Sequence, residues 1–267
     1  MTGRLLKVEA SGNDFVLGIG DWATRLAADG ALAERLCDRR RGIGGDGVLA
    51  VEPTGPARAR LSYRNANGST ARFCGNGSRC AARAAVELLG LPPRLVLDTD
   101  WAPIPAEVDG SSVALELPRP PQPAMALELE VAGERWSGWV LEVGVPHLVL
   151  PVGNVDTVDL ARLAPPLRSH RLLGPDGANV SFVMAAAGGP IDIRTWERGV
   201  EGETLCCGSA AVAAGLVELA SRPAKRVVVR PRSGDELTVE PAADGVRFTG
   251  PTRFVAEIIP LELNVER

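Results

Sequence analysis

Apolar positions along this chain recur with two periods. Short runs that alternate or stay apolar for four to eight residues predict strands at 5–8, 15–17, 48–51, 60–64, 94–97, 104–108 and 113–117. A second set follows at 127–131, 134–142, 148–150, 179–184, 191–196, 227–229, 236–239, 246–248 and 253–259. Helical spacing appears at 31–40, where Leu32, Leu36 and Cys37 share a face, and in a short stretch at 156–163. Two alanine-rich runs, 81–90 and 211–220, carry few charges and predict buried helices. Between these elements lie turns: 11–14, 65–69, Gly144 to His147, and Asp109-Gly110, which between alternating runs signals a hairpin.

The same plan thus occurs twice, as several strands and one long apolar helix per half. Each helix opens on a Cys-Gly pair, Cys74-Gly75 and Cys207-Gly208. The separation is far too long for a solenoid repeat, so this is an internal duplication. The expected fold class is α+β, with two pseudo-symmetric domains, each a curved sheet wrapped around its helix. Residues 118–123 contain four prolines and read as the linker, dividing the chain into 1–118 and 119–254.

Composition narrows the chemistry. The net charge is -4, which disfavours a nucleic-acid surface. No apolar run approaches the roughly 20 residues of a membrane helix, and the N-terminal stretch lacks a signal-peptide core. A cytoplasmic protein is expected. The 5 cysteines argue against a disulfide framework. Cys74 and Cys80 are not a Cys-x-x-Cys pair, and adjacent Cys206 and Cys207 chelate poorly, so no metal is expected. Lys7 and Lys225 are the only lysines. One sits in an expected strand and the other in the basic turn 222–226, so a pyridoxal Schiff base is disfavoured. The glycine-rich stretch 42–47 lacks a phosphate-loop ending.

What remains is the cysteine at each helix start. Free N–H groups and the helix dipole there favour a thiolate, which leads to the expectation of lowered thiol pKa values. The same N–H groups hold a carboxylate. An amino acid bound between two such ends would lose its α-proton to one thiolate and regain a proton from the opposite thiol. The negative charge built on its carboxylate would rest on fixed dipoles. The bland alternative is that cysteine is simply a small buried residue, which is the reading for Cys37, Cys80 and Cys206.

At these residues the chain resembles diaminopimelate epimerases. The resemblance is carried by Asn65-Ala66-Asn67-Gly68-Ser69, by Phe73-Cys74-Gly75-Asn76-Gly77-Ser78-Arg79-Cys80, and by the stretch from Glu197-Arg198-Gly199 to Cys206-Cys207-Gly208-Ser209. Shorter matches are Gly12-Asn13-Asp14-Phe15, Gly42 to Gly47, Pro146-His147, Asn179 and Thr249-Gly250-Pro251. The resemblance implies an isomerase that interconverts L,L- and meso-diaminopimelate without a cofactor, on the route to lysine and peptidoglycan. It implies a barrel around a central helix in each domain, with a final strand, about 255–267, returning to the first domain, and a homodimer. Cys74 and Cys207 would be the acid/base pair, supported by His147 and Glu197. The N–H groups of Gly75, Asn76, Gly208 and Ser209 would hold the reacting carboxylate. Asn13, Asn65, Asn179 and Arg198 would read the distal end, with Glu197 near its ammonium.

Three positions depart from the family pattern. Val145 stands where Asn is frequent, Cys206 where Ala is frequent, and Ala210 where Gly is frequent. Val145 cannot donate to a carboxylate, so it bears on the substrate. A racemase of proline or hydroxyproline on the same scaffold and a non-catalytic amino-acid-binding module are the competing readings.

Overall fold

The computed structural model describes residues 3–131, 133–185, 189–221 and 224–260. In chain order the elements are β1 (Gly3–Ala10), β2 (Asn13–Gly20), α1 (Asp21–Ala28), α2 (Gly30–Cys37), β3 (Gly47–Gly55), β4 (Arg58–Asn65), α3 (Gly75–Glu87), β5 (Arg94–Asp98), β6 (Pro103–Asp109) and β7 (Ser112–Pro118). They continue with β8 (Met125–Val131), β9 (Glu134–Val143), β10 (Val145–Pro151), α4 (Leu160–Arg168), β11 (Asn179–Ala185), β12 (Ile191–Glu197), β13 (Gly202–Thr204), α5 (Gly208–Ser221), β14 (Val227–Arg230), β15 (Leu237–Ala242), β16 (Gly245–Pro251) and β17 (Arg253–Ile258). The fold is sheet-dominated α+β. The chain separates into two compact units, 1–115 with 250–267, and 116–249.

In the first unit the strands run β17-β1-β2-β3-β4-β5-β6-β7. The β2–β3 and β4–β5 pairs are parallel and the others antiparallel. β2 and β3 read as continuous apolar runs because both faces are covered. α3 lies against β1, β3, β4 and β6. On the other face α1 and α2 seal a cluster of Leu5, Val16, Trp22, Leu26, Leu32, Leu36 and Val48.

The second unit runs β8-β9-β10-β11-β12-β14-β15-β16. Here β10–β11 and β12–β14 are the parallel pairs, so the sequence of orientations repeats that of the first unit strand for strand. The short β13 pairs with β12 beside this order. α5 is apolar all round and touches β9, β10, β11, β12, β14 and β15, as a helix enclosed by a sheet must. α4 covers the outer face, where Leu160, Leu163 and Leu167 pack with Leu148, Leu150, Val180 and Phe182.

Several local expectations shift. The amphipathic run at 31–40 is helical only over Gly30–Cys37, because Asp38 leaves helical geometry and turns its carboxylate onto the N–H groups of Arg40 and Arg41. The expected helix at 156–163 begins later, at Leu160, with Asp159 as its cap. The turn expected over Gly144 to His147 is only Gly144, at φ 72, and His147 lies inside β10. α1 follows β2 without a loop, and its eight residues gave no periodic signal long enough to register. Of the expected final strand, Arg253–Ile258 is a strand, and 261–267 lie outside the described residues, as does part of the basic turn at 222–226.

Candidate active site

In the first unit, Cys74 is the N-cap of α3. Its carbonyl accepts from the Ser78 N–H at 2.8 Å, and its Sγ accepts from the Gly77 N–H at 3.4 Å. A thiol therefore occupies the place usually taken by Ser or Asp, which helix geometry provides with donors from the uncapped first turn. Gly75 and Asn76 are the first two helical residues, so their N–H groups point out of the helix end. Asn13, the first residue of β2, brings Oδ1 to 3.7 Å from Cys74 Sγ, and the same oxygen accepts from Asn76 Nδ2 at 3.2 Å. Asn65 ends β4, where it was expected in a turn. Its Oδ1 accepts from the Tyr63 hydroxyl at 3.0 Å and its Nδ2 donates to Ser69 Oγ at 3.0 Å.

The second unit repeats the arrangement. The Cys207 carbonyl accepts from the Ala211 N–H at 3.0 Å, the same offset as Cys74 to Ser78. Gly208 opens α5, and the Ser209 hydroxyl lies 3.5 Å from Cys207 Sγ. Glu197 ends β12 as Asn65 ends β4. Thr204 Oγ1, across the β12–β13 hairpin, donates to Glu197 Oε1. Asn179 opens β11 directly opposite His147 of β10, and its Oδ1 accepts from the Arg198 backbone N–H at 2.8 Å. Val145 opens β10 as Asn13 opens β2.

The electrostatics correct one expectation. A helix start was expected to lower the thiol pKa, but the Cys207 thiol is pushed well up. Burial is the main cause and the nearby Glu197 carboxylate the next, and together they exceed the help from Ser209 and the Ala210 N–H. A thiolate loses more by leaving water than one helix terminus returns. His147 is fully buried, and neither ring nitrogen has a hydrogen-bond partner among the described residues. Burial, with a smaller push from the Arg198 charge, brings its pKa down to about 3, so the imidazole is neutral.

Other supporting residues were not foreseen. Asp46 accepts from Asn13 Nδ2 at 2.6 Å, and Arg79 donates to Asn76 Oδ1 at 3.0 Å. Both lie in quoted motifs; Asp46 meets Asn13 from 33 residues away and leaves no spacing to read, whereas Arg79 and Asn76 stand three apart on α3, a helical spacing that could have signalled the pair. Among the described residues no His, Cys, Asp and Glu group has the arrangement of a metal site. No helix there is long and apolar enough to cross a membrane.

The sequence model of the family described as Diaminopimelate epimerase matches residues 5–99 and 139–255. A diaminopimelate epimerase of Aquifex aeolicus is 37% identical over 254 residues, covering 89% of this chain and 90% of the relative. Among solved structures, a phenazine biosynthesis protein of the PhzF family from Enterococcus faecalis superposes with a TM-score of 0.70 at 14% identity, covering 96% of this chain and 98% of that one. A hydroxyproline epimerase from Agrobacterium vitis gives 0.65 at 16% identity, covering 96% and 90%. At such identities these two establish the fold alone.

Proposed function

From a chain that belongs to the diaminopimelate epimerase family, we propose an isomerase that interconverts L,L- and meso-diaminopimelate, with Cys74 and Cys207 as the acid/base pair and no cofactor. The observation that carries the reading is the matched placement of the two thiols. Each cysteine stands immediately before the first residue of its helix, and each carbonyl accepts the N–H four residues on. Inverting a carbon needs a proton acceptor for one face and a proton donor for the other, and reversibility requires the two to exchange roles. Each unit supplies one sulfur suited to both.

The negative charge formed when the α-proton leaves spreads onto the substrate carboxylate. First-turn N–H groups of Gly75, Asn76, Gly208 and Ser209 are the donors assigned to it, since fixed dipoles aimed at developing charge are often the largest catalytic contribution. The raised pKa of Cys207 makes it a held proton in the resting enzyme. It also makes the Cys207 thiolate a stronger base once formed, which suits a carbon acid. Burial chiefly keeps that proton on sulfur, and Glu197, held by Thr204, adds its negative charge to the same effect. Asn13, Asn65, Asn179 and Arg198 read the distal amino-acid end, where an arginine and amide donors match a carboxylate. His147, neutral and buried, supports the site as a shaped wall and not as a cation. The assignment carries with it a place on the route to lysine and peptidoglycan, a cytoplasmic location and a homodimer.

The test is solvent exchange at the α-carbon. Reduced protein in D2O with L,L-diaminopimelate and no pyridoxal phosphate should give deuterated meso product. Cys74→Ala and Cys207→Ala should each lower turnover by about 10²–10⁴-fold, the usual range for a lost acid or base. Exchange with proline or hydroxyproline in place of diaminopimelate would transfer the mechanism to another substrate and implicate Val145. Exchange with none of them would leave a non-catalytic amino-acid-binding module.

A further inference from the structure

One chain of hydrogen bonds in the first unit runs through the Cys74 site and ends on opposite charges. Arg79, fully buried one turn into α3, donates from Nη2 to Asn76 Oδ1 at 3.0 Å and to Ser11 Oγ at 3.4 Å. Asn76 Nδ2 donates to Asn13 Oδ1 at 3.2 Å, and Asn13 Nδ2 donates to Asp46 Oδ2 at 2.6 Å. Asp46 is itself fixed by Arg39 Nη2 at 2.8 Å and by the Asp14 N–H at 3.3 Å. Asp14 in turn is held by Arg39 and by Lys7.

The direction of this chain is not arbitrary. An amide side chain can present either its oxygen or its nitrogen, and the network decides which. A guanidinium only donates and a carboxylate only accepts, so the cation at one end and the anion at the other fix both intervening amides in one sense. Every C=O points back towards Arg79 and every NH2 forward towards Asp46, and aligned hydrogen bonds of this kind polarise one another. The result at the sulfur is specific. Cys74 meets the oxygen of Asn13, at 3.7 Å, and not its nitrogen.

We propose that Arg79 and Asp46 are positioning residues for Cys74: through Asn76 and Asn13 they hold a carbonyl oxygen against the sulfur, which aims the S–H bond and keeps the proton on it. The opposing contact is the Gly77 N–H, which favours the thiolate. Cys74 thus has both an acceptor and a donor at its sulfur, the balance needed by a group that gives up and recovers a proton in each cycle. The chain also narrows the part of Asn13 in substrate binding. Its oxygen serves Cys74 and Asn76 and one amide hydrogen serves Asp46, so a single N–H is left for a ligand. The catalytic meaning rests on the function proposed above, but the chain of bonds is measurable without turnover.

The experiment follows the pH dependence of iodoacetamide alkylation at Cys74, mapped by mass spectrometry on the full-length protein. Asp46→Ala removes the bond that holds Asn13 from its NH2 side, so the amide loosens and its oxygen presses less closely on the sulfur. The alkylation midpoint should fall by about one pH unit, a tenfold gain in thiolate near neutral pH. Removing a nearby negative charge lowers the midpoint too, so the same change is made in an Asn13→Ala background. The relay requires the shift to be smaller there, reduced to what the lost charge alone contributes. A shift of equal size in both backgrounds, or none in either, overturns it. Should Asp46→Ala lose its fold by circular dichroism, Asp46→Asn replaces it in the same comparison. For the other end, Arg79→Gln and Arg79→Met both delete the charge, but only Gln still donates to Asn76. Different Cys74 midpoints in the two support the role of Arg79, and equal midpoints remove it. Absence of epimerisation with an intact shift would reject the proposed reaction and leave the relay standing.

Discussion

A buried group that cannot ionise is as informative as one that does. His147 holds no proton in the folded protein until about pH 3, because burial removes the water that would solvate the imidazolium. The unfolded chain binds that proton near the ordinary value of 6.5. Between those values the unfolded state carries the extra proton, so stability is complete above pH 6.5 and declines as pH falls. At pH 5 the loss amounts to about 2 kcal/mol. Urea denaturation of wild type and His147→Met at pH 7.5 and 5.0 checks this, and the wild type should lose more on acidification by about that amount. At this scale the sequence made the two thiols legible, since a Cys-Gly pair before an alanine-rich run has a local signature. It did not reveal the raised pKa of Cys207, because desolvation depends on the elements packed round the thiol, and the approach of Glu197 depends on how the β12–β13 hairpin folds back. Asp46 stayed hidden because it meets Asn13 from 33 residues away, whereas Arg79 and Thr204 stand three and seven residues from their partners within motifs that were read.

Elements differ in how far their patterns carry. α3 and α5 were predictable because composition alone separates an enclosed helix from a surface one: α5 has Glu218 as its one charged side chain. What the pattern could not show is how close the sheet comes. A Cβ added to Gly215 would stand 2.7 Å from Val239 Cβ and Cγ2, a distance no rotamer of a branched residue relieves. Alanine is the better helix former by about 1 kcal/mol, but overpacking costs about 1–3 kcal/mol. Gly215→Ala should therefore destabilise by about 1 kcal/mol, read as a lower urea midpoint with an unchanged slope. An increase in stability would mean that β15 yields more easily than its packing implies. The displaced helix at Leu160–Arg168 has the opposite lesson, since capping by Asp159 outweighs the apolar spacing that suggested an earlier start.

Across the molecule, the two units share one order of strand orientations, with a parallel pair at β2–β3 and β10–β11 and another at β4–β5 and β12–β14. The duplication was readable in outline from the two cysteine helices, but strand order was not, because parallel partners are separated by whole helices. One consequence is that the eight-strand order of the first unit depends on β17, whose Ile258 stands opposite Leu5 of β1. Its ion pairs, Arg4 with Glu257 and Arg253 with Glu9, are exposed and contribute little. The backbone ladder matters more, because a chain shortened to end at Thr252 would leave β1 as an open edge. Size-exclusion chromatography should show that truncated protein aggregated, whereas a monodisperse profile would make β17 an accessory.

That same strand sets an order of events during synthesis. Residues 116–249 form an unbroken stretch and can complete their sheet while the chain is still growing. The unit translated first must wait for a strand translated after the whole of the second, so its β1 edge stays open to other chains until synthesis passes Ile258. Of the two units, the one that emerges first is the one that is finished last.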